Sequence, residues 1–238
     1  MIESADLLPW SGAVVVSAPG GGRRNSVVEL RRGGRRLVAR RSRRSPAALE
    51  WELALLRHLA GHGFRVPRVV PADDGREHVG GIVVQTWLDG REPRSQDWPA
   101  VVRELRRLHR LTADWPQRPD FAAAGDLRTT GGDVDLSVMP PEAVALCREA
   151  WARLPRGGRC VIHADACASN VRVHGGAIGF LDWDEARVDH PDLDLADLPW
   201  TPLTGARLAV ARRALDAWEA AAGWRLEPDY ARSRLAAL

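Results

Sequence analysis

The chain contains no lysine. All 34 of its Lys+Arg residues are arginine. That excludes mechanisms built on a side-chain amine, such as a Walker-type phosphate loop with its lysine or a lysine Schiff base. Cysteine is scarce too. Cys147, Cys160 and Cys167 are odd in number and never stand in CxxC spacing, which argues against a disulfide framework and a zinc site. No apolar run approaches the roughly eighteen residues of a membrane-spanning helix. The opening stretch MIESADLLPW has early acids and no basic leader, so neither a secretory signal nor a membrane partner is expected. A cytoplasmic location is the resulting expectation. No internal repeat is visible.

What is present suits a globular protein. At 238 residues with a 45% apolar share, the chain is long enough for one large domain or two small lobes. Its net charge of +3 hides an asymmetry. Residues 1–95 hold 16 Arg against 10 acids, whereas residues 96–238 hold 18 Arg against 21 acids. A basic first part suits a polyanion such as nucleotide phosphate, and an acidic second part suits a metal or a cationic substrate. Nucleic acid is not an expected partner, because the arginines are scattered through strand-like segments with little aromatic interleaving.

Residues 13–16, 27–30 and 37–40 read as strands, with Gly33-Gly34 as a hairpin turn. Between the first two lies Pro19-Gly-Gly-Gly22-Arg-Arg-Asn25-Ser26. Its glycines either lay backbone N–H groups against phosphates or form an ordinary turn. Ser45-Pro46 opens a helix to about residue 60, with Leu49, Leu53, Leu56 and Leu59 inward. Glu52 lies beside that stripe, either on a solvated face or paired with a cation such as Arg40. Residues 81–87 form an apolar strand, and composition then shifts from strand-rich and basic to helix-rich and mixed. This places a lobe boundary between Thr86 and Pro93, with an N-terminal lobe over 1–88 and a C-terminal lobe over 89–238. Helices are expected over residues 98–111, 141–153, 204–222 and 228–238, with a long loop over 112–140.

The densest chemistry lies between His163 and Asp194, HADACASNVRVHGGAIGFLDWDEARVDHPDLD. Residues 170–174 and 177–181 read as a hairpin around Gly175-Gly176. It would bring Asp165 and Asn170 towards Asp182, an oxygen-rich set of the kind Mg²⁺ prefers. Asp and Asn also crowd turns for their own backbone hydrogen bonds, so both readings stand for each residue alone. The order His-x-Asp-x-x-x-x-Asn, hairpin, apolar run ending in Asp is that of kinase-type phosphotransferases. Asp184, Glu185, Asp189 and Asp192 read either as acceptor-facing charge or as solvated loop.

Taken in order, Asn25-Ser26, Arg40, Glu52, Val66-Pro67, Leu88-Asp89-Gly90, Leu108-His109, His163-Ala164-Asp165 with Asn170, Phe180-Leu181-Asp182-Trp183 and Asp194-Leu195-Ala196 resemble the motifs of the aminoglycoside phosphotransferase and choline kinase branch of the protein-kinase-like fold. The resemblance covers roughly residues 13–200. It implies an α+β fold with a small β-rich lobe holding one main helix and a larger helical lobe, the first for nucleotide binding and the second for catalysis and acceptor binding. It implies Mg²⁺-dependent transfer of the γ-phosphate of ATP to a hydroxyl of a small-molecule acceptor, aminoglycoside-like or an amino alcohol. In that frame Asp165 accepts or orients the acceptor hydroxyl, and Asn170 and Asp182 hold Mg²⁺. Asn25, Ser26 and Arg40 serve the phosphates, with Arg40 paired to Glu52. The backbone of Thr86 and Leu88 serves the adenine edge, and His163 and Asp194 brace the catalytic loop.

Two departures from the family pattern matter. Ala164 stands where the family has Gly, which is tolerable if its φ is negative. Arg40 stands where most relatives have Lys, replacing a point charge by a planar fork. The tail after Ala196 is also short for a segment that helps wall the acceptor site. A non-catalytic nucleotide-binding module is therefore one alternative. A metal-dependent phosphohydrolase using His163, Asp165, Asp182 and His190 is another.

Overall fold

The computed structural model describes residues 2–17 and 26–238. In chain order the elements are β1 (Val14–Ser17), β2 (Ser26–Arg32), β3 (Arg35–Arg41), α1 (Pro46–Gly61), β4 (Ile82–Thr86), α2 (Trp98–Leu111), β5 (Thr130–Gly131), β6 (Val134–Asp135), α3 (Pro141–Ala152), β7 (Cys160–Ile162), β8 (Val171–His174), β9 (Ala177–Phe180), β10 (Arg187–Asp189), α4 (Asp192–Leu195), α5 (Gly205–Gly223) and α6 (Pro228–Leu235). This α+β chain divides into two compact units. One is Met1–Arg91 with Arg172–Asp184, and the other is Glu92–Val171 with Glu185–Leu238.

In the first unit, β1 to β4 form one antiparallel sheet in sequence order. Gly33 and Gly34 turn β2 into β3 with φ of 53° and 77°, the left-handed pair that a two-residue hairpin turn needs. The resulting register sets Leu30 opposite Leu37. Both are buried, with Trp10, Ala39, Ile82 and Val84, in this unit's core. Helix α1 starts as its sequence suggests, with Ser45 Oγ accepting from Ala48 N at 3.2 Å and Pro46 in the first turn. Its four stripe leucines are 2% exposed or less.

The β8–β9 hairpin segment Arg172–Asp184 joins this unit through bridges pairing Arg65 with Gly179 and Arg91 with Val173. Gly90 makes the second bridge possible. Its φ is +135°, and a Cβ there would stand 2.9 Å from the Val173 carbonyl oxygen. The glycine of the Asp89-Gly90 pair is thus a close-approach residue.

The second unit packs α3 against α5 over a core that includes Cys147, Trp151, Ile162, Leu193, Ala217 and Trp218. Trp151 Nε1 donates to the Ala214 carbonyl at 3.1 Å. The expected loop over 112–140 holds a small β5–β6 pair and two single-turn helices, Ala124–Asp126 and Leu136–Val138. Strand β10 pairs antiparallel with β7, Val188 opposite Val161. Its charges mask it in the sequence. Arg187 is 1% exposed, lies 3.5 Å over the Trp218 ring and reaches Asp189 Oδ2 at 3.0 Å. Burial pushes the Arg187 pKa down, opposed by Asp189. Among the described residues no helix is long and apolar enough to cross a membrane.

Candidate active site

In the second unit a buried carboxylate organises the loop that follows β7. Asp194 in α4 accepts from His109 Nε2 at 2.9 Å, His163 N at 2.9 Å and Ala164 N at 2.7 Å. Burial works to raise its pKa. The hydrogen bond and field of His109, the field of His163 and the Ala164 N–H outweigh that and hold it below the ordinary value of 3.8. His163, wholly buried, accepts Asp165 N on Nδ1 at 3.3 Å. The loop's backbone is therefore hung on Asp194 and His163, with the half-buried Asp165 side chain carried beyond them.

Ala164 departs from the expectation for its position. Its φ is +68°, in the left-handed region. The two hydrogen bonds on Asp194 fix the turn between His163 and Asp165, and the alanine is held there against its steric preference.

Asn170 closes the loop. Its Nδ2 donates to Asp165 O at 3.0 Å and to Asp165 Oδ2 at 2.7 Å. That contact orients the Asp165 carboxylate and spends the amide nitrogen, leaving the Asn170 carbonyl oxygen for another partner.

Asp165 lines a cavity of about 350 Å³ that lies wholly within this unit, walled also by Trp98, Asp197, Glu219, Tyr230 and Arg234. These residues are far apart in sequence, and no motif marked them. Arg234 ties the wall together. It reaches Tyr230 Oη at 2.9 Å, Asp216 Oδ1 at 2.7 Å and Asp197 Oδ2 at 3.3 Å, and Tyr230 Oη reaches Glu219 at 3.2 Å. Burial alone would lower the Arg234 pKa, but Tyr230, Asp216 and Asp197 raise it. Helix α6 supplies two of the walls, Tyr230 and Arg234.

The first unit holds a separate charged cluster. Arg40 on β3 pairs with Glu52 on α1, both buried. Of the two sequence readings of Glu52, the ion pair is the one present. Asp184 is 6% exposed and accepts from Arg44 Nε at 3.1 Å and Nη2 at 2.7 Å. Neither sequence reading of the acidic run fits three of its members. Asp184, Asp189 and Asp192 are all buried against arginines, with Arg207 bidentate on Asp192 at 2.7 Å from both nitrogens. Pairing with arginines holds these carboxylates inward rather than leaving them to solvent.

Asp182, two residues earlier, is the opposite. It is exposed, has a φ of +53° and makes no hydrogen bond or ion pair among the described residues. Ser26 opens β2 opposite Arg41. Thr86 gives its N–H to the Arg68 carbonyl at 2.8 Å, so only its carbonyl remains for a ligand, whereas Leu88 carries no hydrogen bond among the described residues. Asn25 and the glycines before it lie outside the described residues.

Set beside known proteins, residues 15–235 match the model of the phosphotransferase enzyme family. The chain belongs to that family. Two solved structures share the fold of this phosphotransferase-family chain at low identity. Amicoumacin kinase in complex with AMP-PNP, Ca²⁺ and Ami superposes with a TM-score of 0.64 at 18% identity, over 94% of this chain and 79% of that one. A thermostable mutant of the aminoglycoside phosphotransferase APH(4)-Ia, in its apo form, superposes at 0.67 and 17%, over 97% and 94%. The fold is the protein-kinase-like one. A curated relative, homoserine kinase of Burkholderia multivorans, is 39% identical over 77 residues. That match spans 29% of this chain and about a quarter (23%) of the length of that kinase.

Proposed function

We propose that the chain is a small-molecule kinase that moves the γ-phosphate of ATP, as its Mg²⁺ complex, to a hydroxyl of an amine-bearing acceptor of the aminoglycoside or amino-alcohol type. The observation that carries this reading is Asp165. Its carboxylate is oriented by Asn170 at the wall of a cavity whose other polar walls include Asp197 and Glu219. A cavity of about 350 Å³ suits a small ligand, and carboxylates around it suit an ammonium group. The neighbours' names agree with this, since one is an aminoglycoside phosphotransferase and the partial relative is named for homoserine, an amine-bearing alcohol. The nucleotide analogue in the amicoumacin kinase complex supports ATP as donor.

In this reading Asp165 takes a hydrogen bond from the acceptor hydroxyl and points its oxygen at the phosphorus. A strong base is not needed, because the hydroxyl loses its proton late in a loose transition state. Arg40, Asn25 and Ser26 serve the phosphates, and Thr86 and Leu88 serve the adenine edge through their backbone. The donors offered to Mg²⁺ are the Asp182 carboxylate and the Asn170 amide oxygen, hard ligands of the type it takes. Asp182 fits the part, because an exposed carboxylate in a strained conformation without a protein partner is poised for a ligand. Mg²⁺ held by these donors would supply neutralisation of the phosphate charge.

The phosphohydrolase alternative gains no support. Among the described residues no group of three or more His, Cys, Asp or Glu is placed to hold a metal. His163 and His190 each spend Nδ1 on a backbone N–H two residues on.

The test is a phosphorylation screen over aminoglycosides, amino alcohols, hydroxyl amino acids and sugars, with Mg²⁺-ATP binding measured for wild type and Asp182→Ala. Loss of a charge-assisted contact worth about 1.5–3 kcal/mol should weaken Mg²⁺-ATP binding by roughly 10- to 150-fold. Binding indifferent to Asp182 removes the metal assignment. Binding without transfer to any acceptor points instead to a non-catalytic nucleotide-binding module.

A further inference from the structure

We infer that Asp184 is a positioning residue that orients the Arg40 guanidinium, with Arg44 setting the strength of its pull. The inference rests on the kinase reading in one respect, that Arg40 faces nucleotide phosphate.

The geometry lies within the first unit. The Arg40 Nη2 edge is taken by Glu52. Its other terminal nitrogen, Nη1, is buried and has no hydrogen-bond partner among the described residues. The group nearest in charge is Asp184, whose Oδ1 stands 3.7 Å away. That is too far for a hydrogen bond and near enough for strong attraction in a buried setting. Arg44 occupies the other Asp184 oxygen through Nε and Nη2. The four charges, Arg40, Arg44, Glu52 and Asp184, sum to zero.

The arrangement has a direction. A guanidinium held by Glu52 alone is anchored at one corner and free to tilt about it. Asp184 supplies the second point of restraint and draws Nη1 to its own side. Arg44 keeps Asp184 from closing the remaining distance, so Nη1 is drawn towards Asp184 without being captured by it. Asp184 is itself on a firm support. Trp183 is 2% exposed, donates Nε1 to the Phe180 carbonyl at 3.3 Å and stacks edge-on against the Phe180 ring. The same tripeptide carries Asp182. Arg40 and the exposed Asp182 carboxylate are therefore set by one rigid segment, Asp182-Trp183-Asp184. A lysine at position 40 would present one ammonium nitrogen in place of two terminal nitrogens fixed in a plane, one towards each acid.

A double-mutant cycle on the full chain tests this, with Mg²⁺-ATP binding by calorimetry and the ATP KM against kcat where an acceptor is known. Asp184→Asn should weaken Mg²⁺-ATP binding about tenfold and raise the ATP KM while leaving the acceptor KM in place. In an Arg40→Lys background the same change should cost less than about twofold, because the fork it acts on is gone. Arg44→Gln, which keeps Asp184, should also weaken binding, by letting Asp184 capture Nη1; it serves if Asp184→Asn does not fold. Equal losses in both backgrounds overturn the inference and make Asp184 a direct ligand or a purely structural residue. An unchanged affinity in Asp184→Asn, or in Arg44→Gln where that variant stands in, also overturns it. Wild type that fails to bind Mg²⁺-ATP overturns both this inference and the kinase reading. Wild type that binds but transfers to no acceptor overturns only the transfer step and leaves the cycle readable.

Discussion

Ala164 donates its backbone N–H to Asp194 Oδ1 at 2.7 Å from a left-handed conformation with φ of 68°. The hydrogen bond and the strain belong together, because the turn that lets both His163 and Ala164 reach one carboxylate demands a positive φ. An alanine there costs about 1–2 kcal/mol relative to an unstrained residue. Glycine removes that cost but adds roughly 0.5–1 kcal/mol of chain entropy. Ala164→Gly should therefore stabilise the protein by up to about 1 kcal/mol, read as a higher urea midpoint. A lower midpoint would show that the alanine methyl contributes packing that outweighs the strain.

Asp194 gives a pH dependence whose sign follows from its depressed pKa. A carboxylate with a folded pKa below its unfolded value stabilises fully above the unfolded value, and that contribution is lost as pH falls through the folded one. Asp194→Asn should lose roughly 1–3 kcal/mol at neutral pH, with His109 and two backbone donors less well satisfied. The gap between wild type and variant should be flat above the ordinary value of 3.8 and narrow below it. Urea midpoints measured from pH 7 downward check this, and a gap that widens on acidification would reverse the sign.

Gly90→Ala should disturb the attachment of the β8–β9 hairpin to the first unit. A methyl would meet the Val173 carbonyl oxygen at 2.9 Å, and the φ of +135° is itself unsuited to a side chain. Overpacking against backbone costs about 1–3 kcal/mol. Faster amide exchange at Arg91 and Val173, whose mutual bonds are 3.1 and 2.7 Å, should report the loosening directly.

Two kinetic outcomes separate the roles within the second unit. Asp165→Asn should lower kcat by about 10²–10⁴-fold while Mg²⁺-ATP binding is kept. Arg234→Gln releases Tyr230, Asp197 and Asp216 from one another. It should raise the acceptor KM by roughly tenfold, about 1.4 kcal/mol, with the ATP KM unmoved. A shift of the ATP KM in Arg234→Gln would remove the cavity from consideration as the acceptor site.

Much of this protein was legible before folding, where the signals are local. Ser45-Pro46 opens α1, Gly33-Gly34 and Gly175-Gly176 turn their hairpins, and the leucines at helical spacing line a core. These depend on backbone geometry and periodicity within a few residues, and so did the His163, Asp165 and Asn170 spacing. The misreadings have another origin. Asp184, Asp189 and Asp192 looked like solvent- or ligand-facing charge, because nothing in a polar loop announces which distant arginine will bury it. Strand β10 was invisible because Arg187 and Asp189 neutralise each other inside the core.

The sequence by itself determined the strands and main helix of the first unit, the four longer helices that follow, the family motifs and the exclusion of lysine chemistry, since each is a property of residue identity and short spacing. Only the tertiary structure decided that Ala164 is left-handed, that Asp184 belongs with Arg40 and Arg44, and that Asp197, Glu219, Tyr230 and Arg234 wall a cavity beside Asp165. Those are relationships between residues tens of positions apart or more, or conformations imposed by them. Burial and the pairing of charges set them, and neither is written in the local order of the chain.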